Sequence, residues 1–165
     1  MTPFVSIMMG SKSDYETMTH CADTLKRFGV PYELLVASAH RTPERAKGYV
    51  KEAEAKGAQI FICAAGMAAH LAGAISSATT KPVLGVPMTG GALNGVDALY
   101  STVQMPAQMP VGTLAIGKAG AINAAYLAVQ ILALNNPDLA NKLIDDRREM
   151  AEKIVSDSAS IEVRL

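Results

Sequence analysis

Short apolar runs alternate along nearly the whole chain with longer segments of helical periodicity. Phe4–Met9, Tyr32–Ala37, Gln59–Ala65, Pro82–Pro87 and Thr113–Ile116 are predicted strands. Their hydrophobicity is nearly continuous rather than alternating, which suits a parallel sheet covered on both faces. Ser13–Phe28, Pro43–Lys56, Met67–Ala78 and Val96–Val103 are predicted helices between them, and Ala119–Leu134 follows the fifth strand as another. This βαβα order predicts a three-layer, doubly wound parallel α/β domain. After Asn135-Asn136-Pro137, a charged helix runs from Asp138 to Val155. The expected organisation is one domain over 1–165, with an α/β core over 1–134 and a C-terminal helix and tail over 135–165.

Ala119–Leu134 is apolar on nearly every face, and such a helix needs covering all round. A sheet covers one side of it, so the pattern favours a subunit neighbour over the charged C-terminal helix folding back. A glutamate at Ala124 or Ala128 is then expected to disrupt the oligomer or the fold.

Composition narrows the function class. The chain has 165 residues, half of them hydrophobic, only 5% aromatic and none Trp, so its core is built mainly from aliphatic side chains and Met. Fifteen basic residues balance fifteen acidic ones, which gives no electrostatic footprint for nucleic acid or an anionic membrane. Cys21 and Cys63 lack CxxC spacing and read as core thiols of a reducing, cytoplasmic protein. Phe4–Met9 is too short for a secretory signal and no basic segment precedes it. Ala119–Leu134 is too short for a membrane span and carries Asn123, Tyr126 and Gln130. A soluble protein is expected.

Three polar segments follow predicted strands, where a doubly wound sheet places its ligands. The first is Gly10-Ser11-Lys12-Ser13-Asp14. Gly10 allows close backbone approach, Ser11 offers a hydroxyl, and the N–H groups of the next helix favour an anion. It is neither a Walker loop nor GxGxxG. Ser13-x-x-Glu16 also reads as a capping box, and Asp14 as a partner of the helix dipole. Beside a phosphate, Asp14 would do better accepting from sugar hydroxyls, a division of labour that suggests a ribose phosphate. The second segment is Ser38-Ala39-His40-Arg41-Thr42-Pro43. Thr42 is expected to cap the next helix, with Pro43 at its first position. Arg41 suits bidentate phosphate recognition, and His40 can give and take a proton near neutrality. The third, Gly66-Met67-Ala68-Ala69-His70-Leu71-Ala72-Gly73, lets backbone lie close to a flat ligand. His70 reads equally as a capping or core histidine and as a site residue. His20, His40 and His70 form no metal-binding spacing, and no GxSxG elbow is present. The residues alone suggest an α/β enzyme for a small sugar phosphate, with His40 as acid and base.

The first two segments, and Ala69-His70-Leu71 within the third, resemble motifs of the N5-carboxyaminoimidazole ribonucleotide mutase family. So do Val83-Leu84-Gly85-Val86-Pro87, Gly95-Val96-Asp97-Ala98-Leu99-Tyr100-Ser101, Val103-Gln104-Met105-Pro106 and Pro110-Val111-Gly112-Thr113-Leu114-Ala115-Ile116-Gly117, and the likeness extends to about Leu134. The resemblance implies a flavodoxin-like fold, an octamer, and no metal or organic cofactor. It implies a reaction in purine biosynthesis that moves a carboxylate from the exocyclic nitrogen of an aminoimidazole ribonucleotide to ring carbon C4. It implies His40 as general acid and base, Ser11 and Arg41 on phosphate and Asp14 on ribose. Ser13, Ser38, Gly66, Ala69, His70 and Leu71 match further substrate-binding positions. Met67 stands where the family commonly has Gly, and Ala72 where Pro is common. A sister class that carboxylates the aminoimidazole directly typically has Ser-Ala-His-Lys and lacks Ala-His-Leu, so Arg41 and His70 favour the mutase. A nucleotide-binding module without turnover would leave His40-Arg41 unexplained.

Overall fold

The computed structural model describes residues 3–165. Strand β1, Phe4–Met9, is buried at every position, as a central parallel strand must be. It pairs in parallel with β2, Tyr32–Val36, on one side and β3, Ala58–Ala65, on the other. Strands β4, Val83–Pro87, and β5, Gly112–Thr113, continue the sheet in the order β2-β1-β3-β4-β5. This is the flavodoxin-like doubly wound order, whose direction reverses between β1 and β3. The predicted fold class is the observed one.

A 3₁₀ turn, Lys12–Asp14, leads into α1, Tyr15–Phe28; the other helices are α2, Pro43–Lys56, α3, Leu71–Ser76, α4, Val96–Val103, α5, Lys118–Ala133, and α6, Pro137–Ile161. Chain direction across the sheet reverses between the β1–β2 and β2–β3 crossovers. Right-handed connections therefore put α1 and α2 on opposite faces. Met8, Phe61 and Cys63 pack with Val50 of α2 and Leu71 and Ile75 of α3 in one core cluster. Ile7, Ile60 and Ile62 alternate to the other face and are fully buried.

Four expectations shift on inspection. The fifth strand is only two residues long, because after Thr113 the pairing with β4 reduces to single bonds, the last from the Gly117 N–H to the Pro87 carbonyl at 2.8 Å. The third helix begins at Leu71 rather than Met67, since Met67 has φ 55° and cannot continue a right-handed helix. The capping box uses Ser11 and Asp14, not Ser13 and Glu16. Thr42 makes no side-chain cap on α2; its hydroxyl donates to the Ser38 carbonyl at 3.1 Å and accepts the Ser38 N–H at 2.9 Å, bracing the loop ahead of the helix.

The chain forms two compact units, Met1–Ala128 and Val129–Leu165, so the division falls inside α5. The second unit is mostly α6, started by Asn136, whose side chain accepts the Leu139 N–H at 3.2 Å, and by Pro137 at its first position. Its Arg148–Asp145 and Lys153–Asp157 pairs are solvent-exposed and contribute little. No helix among the described residues is long and apolar enough to cross a membrane.

Candidate active site

At the carboxyl ends of β1, β2, β3 and β4 lies a cavity of about 590 Å³, open on one side. It sits at the reversal point of the sheet, where ligands of such folds bind. Each wall is a loop that the strand order places there. β1 is followed by Gly10, Ser11, Ser13 and Asp14, β2 by Ser38 to Arg41, and β3 by Gly66 to Leu71 without Ala69. The loop after β4 adds Thr89, Gly90 and Gly91.

The first wall is a hydrogen-bonded knot. The Ser11 N–H donates to Asp14 Oδ2 at 3.2 Å, while Ser11 Oγ accepts both the Ser13 N–H at 3.3 Å and the Ser13 hydroxyl at 3.0 Å. The Asp14 N–H is also spent, on the Ser11 carbonyl at 3.2 Å. The knot thus consumes several of the N–H groups that sequence assigned to an anion, and leaves hydroxyls in their place. The two serine hydroxyls and the Asp14 carboxyl thus form one network, from which a hydroxyl can also donate to a ligand oxygen. Asp14 is buried, and burial pushes its carboxyl above its ordinary value although the Ser11 N–H and the Ser13 side chain pull it down. A Cβ on Gly10 would meet only ordinary contacts at 3.6 Å, so the protein's own packing does not demand a glycine there. The space it leaves is cavity.

The second wall carries the charge and the acid–base group. Ser38 Oγ accepts the Arg41 N–H at 3.1 Å and closes the turn that presents His40. The Arg41 side chain reaches back across the sheet, its Nη2 donating to the Gly10 carbonyl at 3.3 Å, so the guanidinium stands beside the Ser11 knot. On the third wall His70 meets His40, with Nε2 of His40 2.7 Å from Nδ1 of His70 and the rings edge to face. The distance is that of a hydrogen bond, with the donor set by the tautomer. Either ring can act as donor or acceptor, so a proton taken or given by His40 has a partner already in contact.

Of the ten site residues expected from sequence, nine line the cavity. Ala69 does not: it is buried, and its N–H donates to Ser101 Oγ at 2.9 Å. His70 stands at the site and makes no side-chain cap on α3. Thr89, Gly90 and Gly91 escaped the sequence reading, although the strand-end rule that found the other loops applies equally to the Thr-Gly-Gly after the fourth predicted strand. Met67 is 63% exposed and lines the cavity, whereas Ala72 is buried and does not. Cys21 and Cys63 are buried, and burial pushes the Cys21 thiol up to about 12 and raises that of Cys63 also, so neither is a nucleophile. Among the described residues no group of three or more His, Cys, Asp or Glu is placed to hold a metal.

Comparison with known proteins agrees with this geometry. A family profile described as AIR carboxylase matches residues 4–153. The chain is 52% identical over 159 residues to the N5-carboxyaminoimidazole ribonucleotide mutase of Bacillus subtilis, covering 96% of this chain and 98% of that one. It is 51% identical over 151 residues to the protein of the same name from Escherichia coli K12, covering 92% of this chain and 89% of that one. The crystal structure of Treponema denticola PurE superposes with a TM-score of 0.88 at 29% identity, over 98% of this chain and 99% of that one. The chain belongs to the AIR carboxylase family.

Proposed function

We propose that this protein is an N5-carboxyaminoimidazole ribonucleotide mutase, converting that nucleotide to 4-carboxy-5-aminoimidazole ribonucleotide in purine biosynthesis. The observation that carries the reading is the 2.7 Å contact between His40 and His70 at the mouth of a cavity lined by Ser11, Asp14 and Arg41. Mutases that are about half identical over nearly the whole chain support it.

The residues divide the work by charge. Arg41 and the Ser11 hydroxyl take the phosphate, the one as a planar fork and the other as a hydrogen-bond donor. Asp14 accepts from the ribose hydroxyls, which repay part of the cost of its burial. His40 protonates the exocyclic nitrogen that bears the carboxylate; the N–C bond then breaks, leaving a neutral amine and carbon dioxide. The enamine-like C4 attacks that carbon dioxide, and its hydrogen leaves as a proton to His40. One proton is lent and one returned, so a single histidine serves both steps. Leu71, Ala65, Ala68 and the glycines at 66, 90 and 91 give the trapped gas a wall with few groups that bind water. Ser13 and Ser38 hold the Ser11 and Arg41 loops in register.

Assembly belongs to the same proposal. The α/β unit carries the chemistry, and the chain works as a cytoplasmic octamer in which neighbours cover apolar surface. Ile144, Met150, Ile154 and Val155 of α6 are each more than half exposed in the single chain, which supports this reading. Purified protein offered the N-carboxylated nucleotide is expected to form the C4-carboxylated product without added bicarbonate. Turnover of aminoimidazole ribonucleotide plus bicarbonate alone would identify a direct carboxylase instead, the activity that the family's description names.

A further inference from the structure

Helix α4 contributes no residue to the cavity wall, yet one of its side chains holds that wall in place. Ser101 Oγ accepts the Ala69 N–H at 2.9 Å and lies 3.2 Å from the Met67 carbonyl. Its own proton has its nearest acceptor in the Asp97 carbonyl at 2.7 Å, the usual back-bond of a helical serine, and can turn to Met67 instead. The loop so held is not at rest by itself. Met67 occupies a left-handed conformation, φ 55°, which a side-chain-bearing residue keeps only where its surroundings enforce it. Ala69 is 2% exposed, so its N–H has no water to turn to if the serine is removed. The next residue along is His70, whose Nδ1 meets His40.

We propose that Ser101 is a positioning residue for the reaction: its hydroxyl pins the Met67–Ala69 backbone and so fixes His70 against His40. The proposal rests on the reading of His40 as the proton carrier, but its structural half stands apart from turnover. Removing the pin lets the loop relax and His70 withdraw, while Ser11, Asp14 and Arg41 on the facing walls stay as they are. Ser101 therefore acts on the proton-transfer step and spares binding of the nucleotide.

The test compares wild type with Ser101→Ala, Ser101→Thr, His70→Asn and the double variant Ser101→Ala/His70→Asn. Ser101→Ala is expected to lower kcat by roughly ten- to a hundredfold, the range that a displacement near 1 Å produces, with KM within about threefold. Ser101→Thr keeps the hydroxyl and is expected to stay within about threefold of wild type in kcat. The double variant should be no slower than His70→Asn alone, because the serine has nothing further to position. The crystal structure of Ser101→Ala should show His70 beyond hydrogen-bond reach of His40. Multiplicative losses in the double variant, or an unmoved His70 in that structure, would overturn the proposal. Should Ser101→Ala fail to fold, Ser101→Cys, of nearly the same shape but a weak acceptor, takes its place with the same expectations. A wild type that does not turn over the N-carboxylated nucleotide would count against the proposed activity, and the structure of the variant would still decide the positioning claim.

Discussion

At the residue scale the cavity is built from groups that can each do more than the fold asks of them. Ser11 offers a hydroxyl, Arg41 has donors beyond its bond to Gly10, Asp14 holds a buried carboxyl, and His40 lies against His70. His40→Asn is expected to fold and bind nucleotide while losing turnover by roughly a thousandfold or more, measured as single-turnover product formation. Activity within about tenfold of wild type would exclude His40 as the proton carrier. Arg41→Ala should weaken nucleotide binding by about 2 kcal/mol, roughly thirtyfold, in calorimetric titration, because a charge-assisted phosphate contact is lost. Asp14 gives a prediction of opposite sign for stability. Its folded carboxyl titrates above its ordinary value, so its favourable contribution exists where it is protonated and is lost as pH rises through the raised value. Asp14→Asn should therefore melt higher than wild type near neutral pH, and the gap should close as pH falls through the carboxylate range. The same variant should bind the ribonucleotide more weakly. A lower melting temperature at neutral pH would mean that the carboxylate stabilises the Ser11 knot more than its burial costs.

At the scale of elements, the glycine before α4 shows how backbone form places that helix. Gly95 sits at φ 92°, and a Cβ there would come within 2.7 Å of Ile116 Cγ2 and 2.9 Å of the Met88 carbonyl. Gly95→Ala is expected to cost about 2–4 kcal/mol in urea unfolding, from the left-handed backbone and the overlap together. Hydrophobic runs made most elements legible. α2 and α4 begin and end where periodicity, Pro43 and the neighbouring residues put them, and β1 is a run of six buried residues. What sequence obscured was set by tertiary contact. The start of α3 depends on the left-handed Met67, and the loop that carries it is bonded to a serine on α4, Ser101, through the Ala69 N–H. No local pattern announces such a bond. The capping box shifted by two residues because Ser11 and Ser13 are equally good caps locally, and the chain's path out of β1 chose between them. At the site, the three polar loops could be read because few structural reasons explain a His-Arg pair at a strand end. The Thr89-Gly90-Gly91 loop carries no charge, so it passed for an ordinary connection.

At the scale of the whole molecule, the first unit holds every group the proposed chemistry needs, and the second carries the exposed apolar side chains on which the proposed assembly rests. Ala124 and Ala128 of α5 are fully buried in the single chain, so a glutamate at either reports on the fold and cannot isolate assembly. Ile154, 64% exposed on α6, is the better probe. Ile154→Glu should leave a folded chain but lower the mass in light scattering, which for wild type should lie near eight times the 17.3 kDa subunit. An unchanged mass would remove α6 at that position from the proposed interface. The central claim is that the carboxyl group moves within one site. Its most direct test uses nucleotide labelled with ¹³C in the N-carboxylate, turned over in unlabelled bicarbonate buffer and quenched early for mass spectrometry. The account predicts that most of the C4-carboxylated product retains the label, whereas product carrying only the unlabelled carbon of the buffer would contradict it.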